Sequence, residues 1–347
     1  MSYPVLPANH PNARLARHTT ACMDSPTEKI ATGKRPWYRR KLWLALIGLL
    51  VLALGLGLGL GLGLGLKSSP DTPGSGAPTA TPGAPTPTSG TPPSTTTGSL
   101  WQPTVGSTWQ IVLDDALPAS TLNSLDTTWS KTSVFDIDLF TNPDTTIAAL
   151  HKAGKKVMCY FSAGSYEPHR PDSSDFSASD KGRELDGWPG EYWLKTSSAG
   201  VRNIMLARLD LARAKGCDGV DPDNVDAYDN DNGLGLTEDN AIDYIKFLAG
   251  ASHARGLSMG LKNAGAVVGS VLGSVQWEVN EQCVQYDDCA LYQPFIDAGK
   301  PVFGIEYPNS APHVESTVKS GICAQANERH FSTLLKEESL GVWVQPC

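Results

Sequence analysis

From Trp109 onward the chain alternates short runs of β-forming residues with longer stretches of helical periodicity, and this alternation restricts the fold more than any other feature. A strand, a helix and another strand in succession form a unit that sets its strands parallel and buries both faces of the sheet. Strands are expected at Trp109–Asp114, Val134–Phe140, Lys156–Ser162, Cys217–Asp221, Ser258–Asn263, Val275–Asn280, Val302–Tyr307 and Val342–Gln345. Helices are expected at Pro143–Ala153, Val201–Lys215, Thr237–Ala254, Tyr292–Ala298 and Gln325–Ser339, several closed by glycine near their ends. This pattern predicts an α/β fold of the (β/α)8 TIM-barrel type. A doubly wound open sheet is the alternative, but no Gly-x-Gly-x-x-Gly follows the first strand. One more β-like run, Glu191–Lys195, lies inside a long excursion between Gly164 and Gly200, which is expected to build the rim of a cleft.

The residues before the alternation divide into three parts. Residues 1–41 are polar and end in a basic cluster from Lys34 to Lys41, which reads as a cytoplasmic tail. Residues 42–66 are an uninterrupted apolar run, long enough at about 1.5 Å per helical residue to cross a bilayer of roughly 30 Å. A cleaved signal peptide has a shorter apolar core, so the run is expected to be an uncleaved anchor that contacts the lipid bilayer. Basic residues precede the run and only Lys67 follows it closely, which predicts a single-pass type II protein with its C-terminal part outside the cell. Residues 67–99 are almost entirely Ser, Thr, Pro, Gly and Ala and read as a stalk that cannot bury a core. Residues 100–347 remain as the folded domain, expected to be monomeric.

Charge and cysteine usage narrow the function. Residues 1–99 hold nine of the 28 Lys/Arg and three of the 36 Asp/Glu, which leaves the folded domain 19 basic against 33 acidic residues. An excess of 14 acids argues against a nucleic-acid partner and suits a cationic or neutral one. Six of the seven cysteines lie beyond the apolar run, an even number that fits disulfides in an oxidising compartment. Cys283–Cys289 is expected as a loop staple and Cys323–Cys347 as a tie for the C-terminus.

The expected strands end in polar residues. The most crowded end is Asp221-Pro-Asp223-Asn-Val-Asp226, followed by Tyr228, where unpaired carboxylates would repel one another unless chemistry or a cation requires them. Pro222 lacks an N–H and is expected to end the ladder there. Other strand ends bring Asp115, Asp138, Glu167 with Arg170, Lys262-Asn263, Glu281, and Glu306-Tyr307. An acidic loop that caps a helix or binds calcium is the bland alternative. The stretch from Asp226 to Asn240 fails the calcium-loop register, because Gly233 or Tyr228 falls where an oxygen ligand is needed. The histidines are scattered without an i, i+4 pair, and neither Ser162 nor Ser165 lies in a nucleophile elbow, so no metal, cofactor or serine nucleophile is expected. Two carboxylates from different strands, Asp223 and Glu281, remain as the pair that glycosidic cleavage needs on either side of the bond.

Four segments, in order, Tyr160-Phe-Ser-Ala-Gly-Ser-Tyr-Glu167, Asp218-Gly-Val-Asp-Pro-Asp-Asn-Val-Asp226, Leu261-Lys-Asn263 and Trp277-Glu-Val-Asn-Glu-Gln-Cys283, resemble the fungal endo-α-1,4-polygalactosaminidases of glycoside hydrolase family 114. The resemblance runs from about Trp101 to beyond Tyr307. It implies a barrel hydrolase that cuts α-1,4-linked galactosamine in a cationic galactosaminogalactan, with Asp223 and Glu281 as catalytic pair. Expected substrate contacts are Asp115, Asp138, Glu167, Arg170, Asp221, Asp226, Tyr228, Lys262, Asn263, Glu306 and Tyr307. The expected chemistry is a retaining double displacement, with Asp223 as nucleophile and Glu281 as an acid/base whose pKa is raised by burial. Competing readings are a hydrolase of neutral α-galactosides and a stalked lectin with Trp101, Trp188, Trp193, Tyr228 and Tyr307 as stacking platforms.

Overall fold

The computed structural model describes residues 99–347 except Thr128. The expected tail, anchor and most of the stalk lie outside the described residues. Among the described residues no helix is long and apolar enough to cross a membrane.

Eight parallel strands form the frame, and the segments that make them are buried on both faces, as continuous apolar runs should be. They are β1 (Trp109–Val112), β2 (Val134–Asp138), β3 (Lys156–Ser162), β7 (Gly219–Asp223), β8 (Ser258–Lys262), β9 (Trp277–Glu281), β10 (Val302–Glu306) and β11 (Ser332–Leu335), hydrogen-bonded in that order. A short β12 (Gln345–Pro346) adds antiparallel to β11. The long helices between them are α1 (Asp144–Lys152), α2 (Ala199–Lys215), α3 (Glu238–His253) and α4 (Ser316–Glu328). Local chemistry fixes their ends. Ser198 accepts a bond from the Gly200 N–H at the start of α2, Gly216 closes that helix at φ 91°, and Thr237 with Asn240 forms a capping box on α3.

The sheet curls, so the fold is α/β and consistent with the TIM type. Its two ends meet through side chains and loops: the Trp109 indole N–H donates to the Ser332 carbonyl at 2.8 Å, and Leu113 N–H to the Leu340 carbonyl at 3.0 Å. Lys336 is fully buried at this seam and donates to the Ile111 carbonyl at 2.8 Å. Residues from both ends of the sheet form one cluster, including Ile111, Met158, Trp277, Phe303 and Leu334. Trp277 is fully buried there, and glycines make its space: a Cβ at Gly260 would come within 2.1 Å of the indole nitrogen, and one at Gly219 within 2.5 Å of the ring. A larger cluster joins the outer faces of the strands to α1, α2 and α3.

Three expectations need correction. The eighth parallel strand is Ser332–Leu335, not Val342–Gln345, and the expected helix Gln325–Ser339 gives way to α4, which ends at Glu328. His330 adopts φ 61° and turns the chain, after which Thr333, Leu334 and Leu335 are buried against β10. Pro222 does not end its strand: it pairs with Phe161, and β7 continues to Asp223. The ladder to β8 stops at Val220, so the missing N–H of Pro222 faces a side where no ladder bond is made.

Disulfides Cys283–Cys289 and Cys323–Cys347 form as expected, and Cys159–Cys217 joins β3 to the residues just before β7. The excursion after β3 is a three-stranded antiparallel ribbon of β4 (Ser165–Tyr166), β5 (Lys181–Leu185) and β6 (Trp188–Leu194), with β6 central.

Candidate active site

Consecutive parallel strands β7, β8 and β9 end in Asp223, Lys262 and Glu281. Because all three residues close their strands, their side chains meet at one rim. Lys262 Nζ lies 3.0 Å from Asp223 Oδ1 and 2.8 Å from Glu281 Oε2, so those two oxygens are at most the sum of these, 5.8 Å, apart. The pair therefore flanks a shared ammonium group and does not sit on opposite sides of the rim, as a simple count of strands suggests.

Each carboxylate is further held by neutral donors. The Tyr160 hydroxyl donates to Asp223 Oδ2 at 2.7 Å and the Asn224 N–H to its Oδ1 at 2.8 Å. Tyr307 donates to Glu281 Oε1 at 2.5 Å and Asn263 to Oε2 at 3.1 Å, while the Asn263 side-chain oxygen accepts the Glu281 N–H at 2.9 Å. Burial would raise the Glu281 pKa, but Lys262, Tyr307 and Asn263 together hold it well below the usual carboxylate range. The expectation of a raised Glu281 is thus reversed, because burial here comes with a cation and two donors. Burial would likewise discharge Lys262, but Asp223, Glu281 and Asp221 keep it protonated.

A second ion group stands beside the first. Arg170 binds Glu167 through two bonds of 2.8 Å and reaches Asp138 at 2.5 Å, and all three side chains are buried. Asp138 also accepts the Phe140 and Thr141 N–H groups at 2.9 Å, so it is committed to the fold of that loop. Asp226 is pushed up to about 6 by burial and by the Asp223 charge, and Tyr228, also raised by burial, is half-buried nearby on the same loop.

Two expected contacts are not brought to this cluster, and a third lies beneath it. Asp115 is exposed after β1 and caps the Ala116 N–H at 2.7 Å. Glu306 is buried and accepts the Val284 N–H at 2.8 Å, at the start of the helical turn Cys283–Tyr286. Asp221 is fully buried below Asp223 on the same strand, beside the buried Asp136 carboxyl and within the field of Lys262. Burial and the neighbouring charge of Asp223 raise its pKa. Asp136 and Glu278 are buried and raised in the same manner.

Sequence reasoning missed Tyr160 and Glu191. Tyr160 stands in an apolar run, and its only signal is a hydroxyl two residues from the carboxyl end of β3. Glu191 belongs to β6 of the ribbon; burial, then the charges of Glu167 and Asp223, push it up to about 7. No group of metal-ligating side chains occurs among the described residues.

A curled parallel sheet jacketed by helices, with carboxylates gathered at the carboxyl ends of its strands, is the architecture of an α/β glycosidase. The model of glycoside-hydrolase family GH114 matches residues 90–347, and the chain belongs to that family. It is a glycoside hydrolase. It is similar to the crystal structure of Aspergillus fumigatus Ega3 in complex with galactosamine, at 53% identity and TM-score 0.68, covering 72% of this chain and 99% of that one. The glycoside hydrolase domain of PelA from Pseudomonas aeruginosa shares the fold at 14% identity and TM-score 0.53, covering 69% of this chain and 98% of that one. An uncharacterized protein of Deinococcus radiodurans is 27% identical over 215 residues, 52% of this chain and 67% of that protein.

Proposed function

We propose that this chain is an endo-acting hydrolase of α-1,4-linked galactosamine in a cationic exopolysaccharide, and that Asp223 and Glu281 cut the bond. The observation that carries the reading is the Lys262 ammonium between two carboxylates on neighbouring rim positions. An oxygen separation of at most 5.8 Å favours retention, for which carboxyl groups stand about 5–5.5 Å apart, over inversion at about 6.5–9.5 Å. A free 2-amino group cannot serve as an internal acetamido nucleophile, so retention needs an enzyme carboxylate, and Asp223 is assigned that role. Glu281 then protonates the leaving oxygen and later activates water. Glu281 is held ionised by the shared cation, so it must take up its proton as the sugar enters.

The polymer is polycationic near neutral pH, and an acidic domain attracts it while discriminating against neutral glycans. The galactosamine in the Ega3 complex supports the same substrate class. The curled sheet is read as a closed (β/α)8 barrel, and the domain as an extracellular one, on a stalk at residues 67–99 anchored by residues 42–66. The test is to incubate the full-length protein with galactosaminogalactan and follow oligosaccharides by mass spectrometry. Internal cuts that release galactosamine oligomers are expected; a polymer left at full length contradicts the assignment, as does a preference for the fully acetylated neutral form.

A further inference from the structure

The ribbon leaves the rim directly after β3 and returns to α2, and one of its faces is pressed against the loop that follows Asp223. Side chains alternate along a strand, which puts Glu191 and Trp193 of β6 on the same face. Trp193 is buried against Leu185 and Ala227, and Ala227 lies four residues beyond Asp223. The Arg183 N–H donates to the Asn232 carbonyl at 2.9 Å, and the Arg183 guanidinium pairs with Asp231. The ribbon is therefore packed on the loop that leaves the catalytic rim.

At the β5–β6 turn of the ribbon is a cavity of about 440 Å³, lined by Trp188, Trp193, Arg183, Glu184, Asp186 and Asp231 among others. Its size falls within the range of small-ligand sites, about 300–1,000 Å³. Trp188 is 60% exposed, more than any other large apolar side chain among the described residues, and belongs to no core cluster. The fold does not need an indole in that position. Three carboxylates and one guanidinium line the cavity, and the guanidinium is paired with Asp231, which leaves Glu184 and Asp186 in excess. An indole face with carboxylates beside it suits a sugar that presents a C–H face and an ammonium group, because an ammonium over an indole is attracted by the ring as well as by the acids.

We propose that this cavity is a second sugar-binding subsite, which takes a further galactosamine unit of the chain being cut, stacked on Trp188 with its ammonium toward Asp186. The proposal rests on the function argued above, and it supplies a way to hold a long chain across the rim. A site remote from the bond raises affinity for long chains and adds nothing for those too short to reach it.

The test is equilibrium binding of de-N-acetylated galactosamine oligomers of increasing length to full-length Asp223→Asn, with and without Trp188→Ala or Trp188→Phe. Asp223→Asn should bind longer oligomers progressively more tightly. Adding Trp188→Ala should remove that gain and weaken the longest oligomers at least fivefold, about 1 kcal/mol, while Trp188→Phe keeps most of it. Equal affinities with and without Trp188→Ala, at unchanged thermal unfolding, overturn the subsite. Wild-type protein that binds in this length-dependent way yet releases no products sinks the hydrolase reading and leaves the subsite standing.

Discussion

Asp221 and Asp223 stand two residues apart on β7 and point to the same side of the sheet, yet their surroundings are opposite. Asp223 reaches the rim and receives an ammonium, a phenol and a backbone N–H. Asp221 is one layer deeper, fully buried, with the buried Asp136 carboxyl as its neighbour. On β9 Glu281 is held ionised by Lys262, whereas Glu278, three residues earlier and so on the opposite face of the strand, is buried and its pKa is raised by that burial. Depth within the sheet, not residue type, decides which carboxyl carries a charge. The rim can do charged chemistry, while the layer below is best occupied by neutral acids.

The largest expected effect comes from the rim. Asp223→Asn and Glu281→Gln should each lower turnover on galactosamine polymer by at least about 10³-fold, roughly 4 kcal/mol of transition-state stabilisation, with thermal unfolding close to wild type. Steady-state rates check this, and a variant retaining a tenth of wild-type activity removes its residue from the catalytic pair.

The next effect sharpens the contrast by removing the cation. Lys262→Met leaves two carboxylates within 5.8 Å of each other with no shared charge, and like charges this close raise each other's pKa. A loss of about 10²-fold in kcat/KM is expected, with the acidic limb of the pH–rate profile moved upward. A profile that keeps its wild-type position means Lys262 does not set the charge of the pair.

The smallest effect belongs to the deeper layer. Asp221 binds its proton more tightly folded than unfolded, since its pKa rises from about 3.8 to about 7. The folded chain therefore holds more protons than the unfolded chain across that window, so this residue makes stability fall as pH rises from about 4 to about 7. Asp221→Asn keeps the shape of the protonated acid and should flatten that fall by differential scanning calorimetry. Glu281 has the opposite sign: its depressed pKa gives stability that is present above the unfolded value and is lost as pH falls toward the folded one. An unaltered pH dependence in Asp221→Asn means that the buried acid is not protonated.

Much of the rim was legible in the sequence, because polar residues at the carboxyl ends of apolar runs have few structural reasons to recur. Asp223, Lys262, Asn263, Glu281 and Tyr307 were all visible in this way and all meet. Depth was not legible: Asp221 and Asp223 fall on the same face of one strand within a single acidic cluster, and only the stagger of neighbouring strands separates rim from interior. Tyr160 was hidden for the same reason. The eighth strand was misread because Leu334 and Leu335, with Lys336 after them, continue the periodicity of α4, and only the left-handed turn at His330 breaks it. Glu191 could not be found from βα alternation, since its strand belongs to an antiparallel ribbon outside that pattern.

The most direct test of the Lys262-bridged pair is the anomeric form of the first product, read by proton NMR within the first minutes of cleaving an α-1,4-galactosamine oligomer. The short separation and an attacking Asp223 predict that the α anomer appears first and then mutarotates. Initial release of the β anomer contradicts the account, because inversion puts a water, not Asp223, on the anomeric carbon.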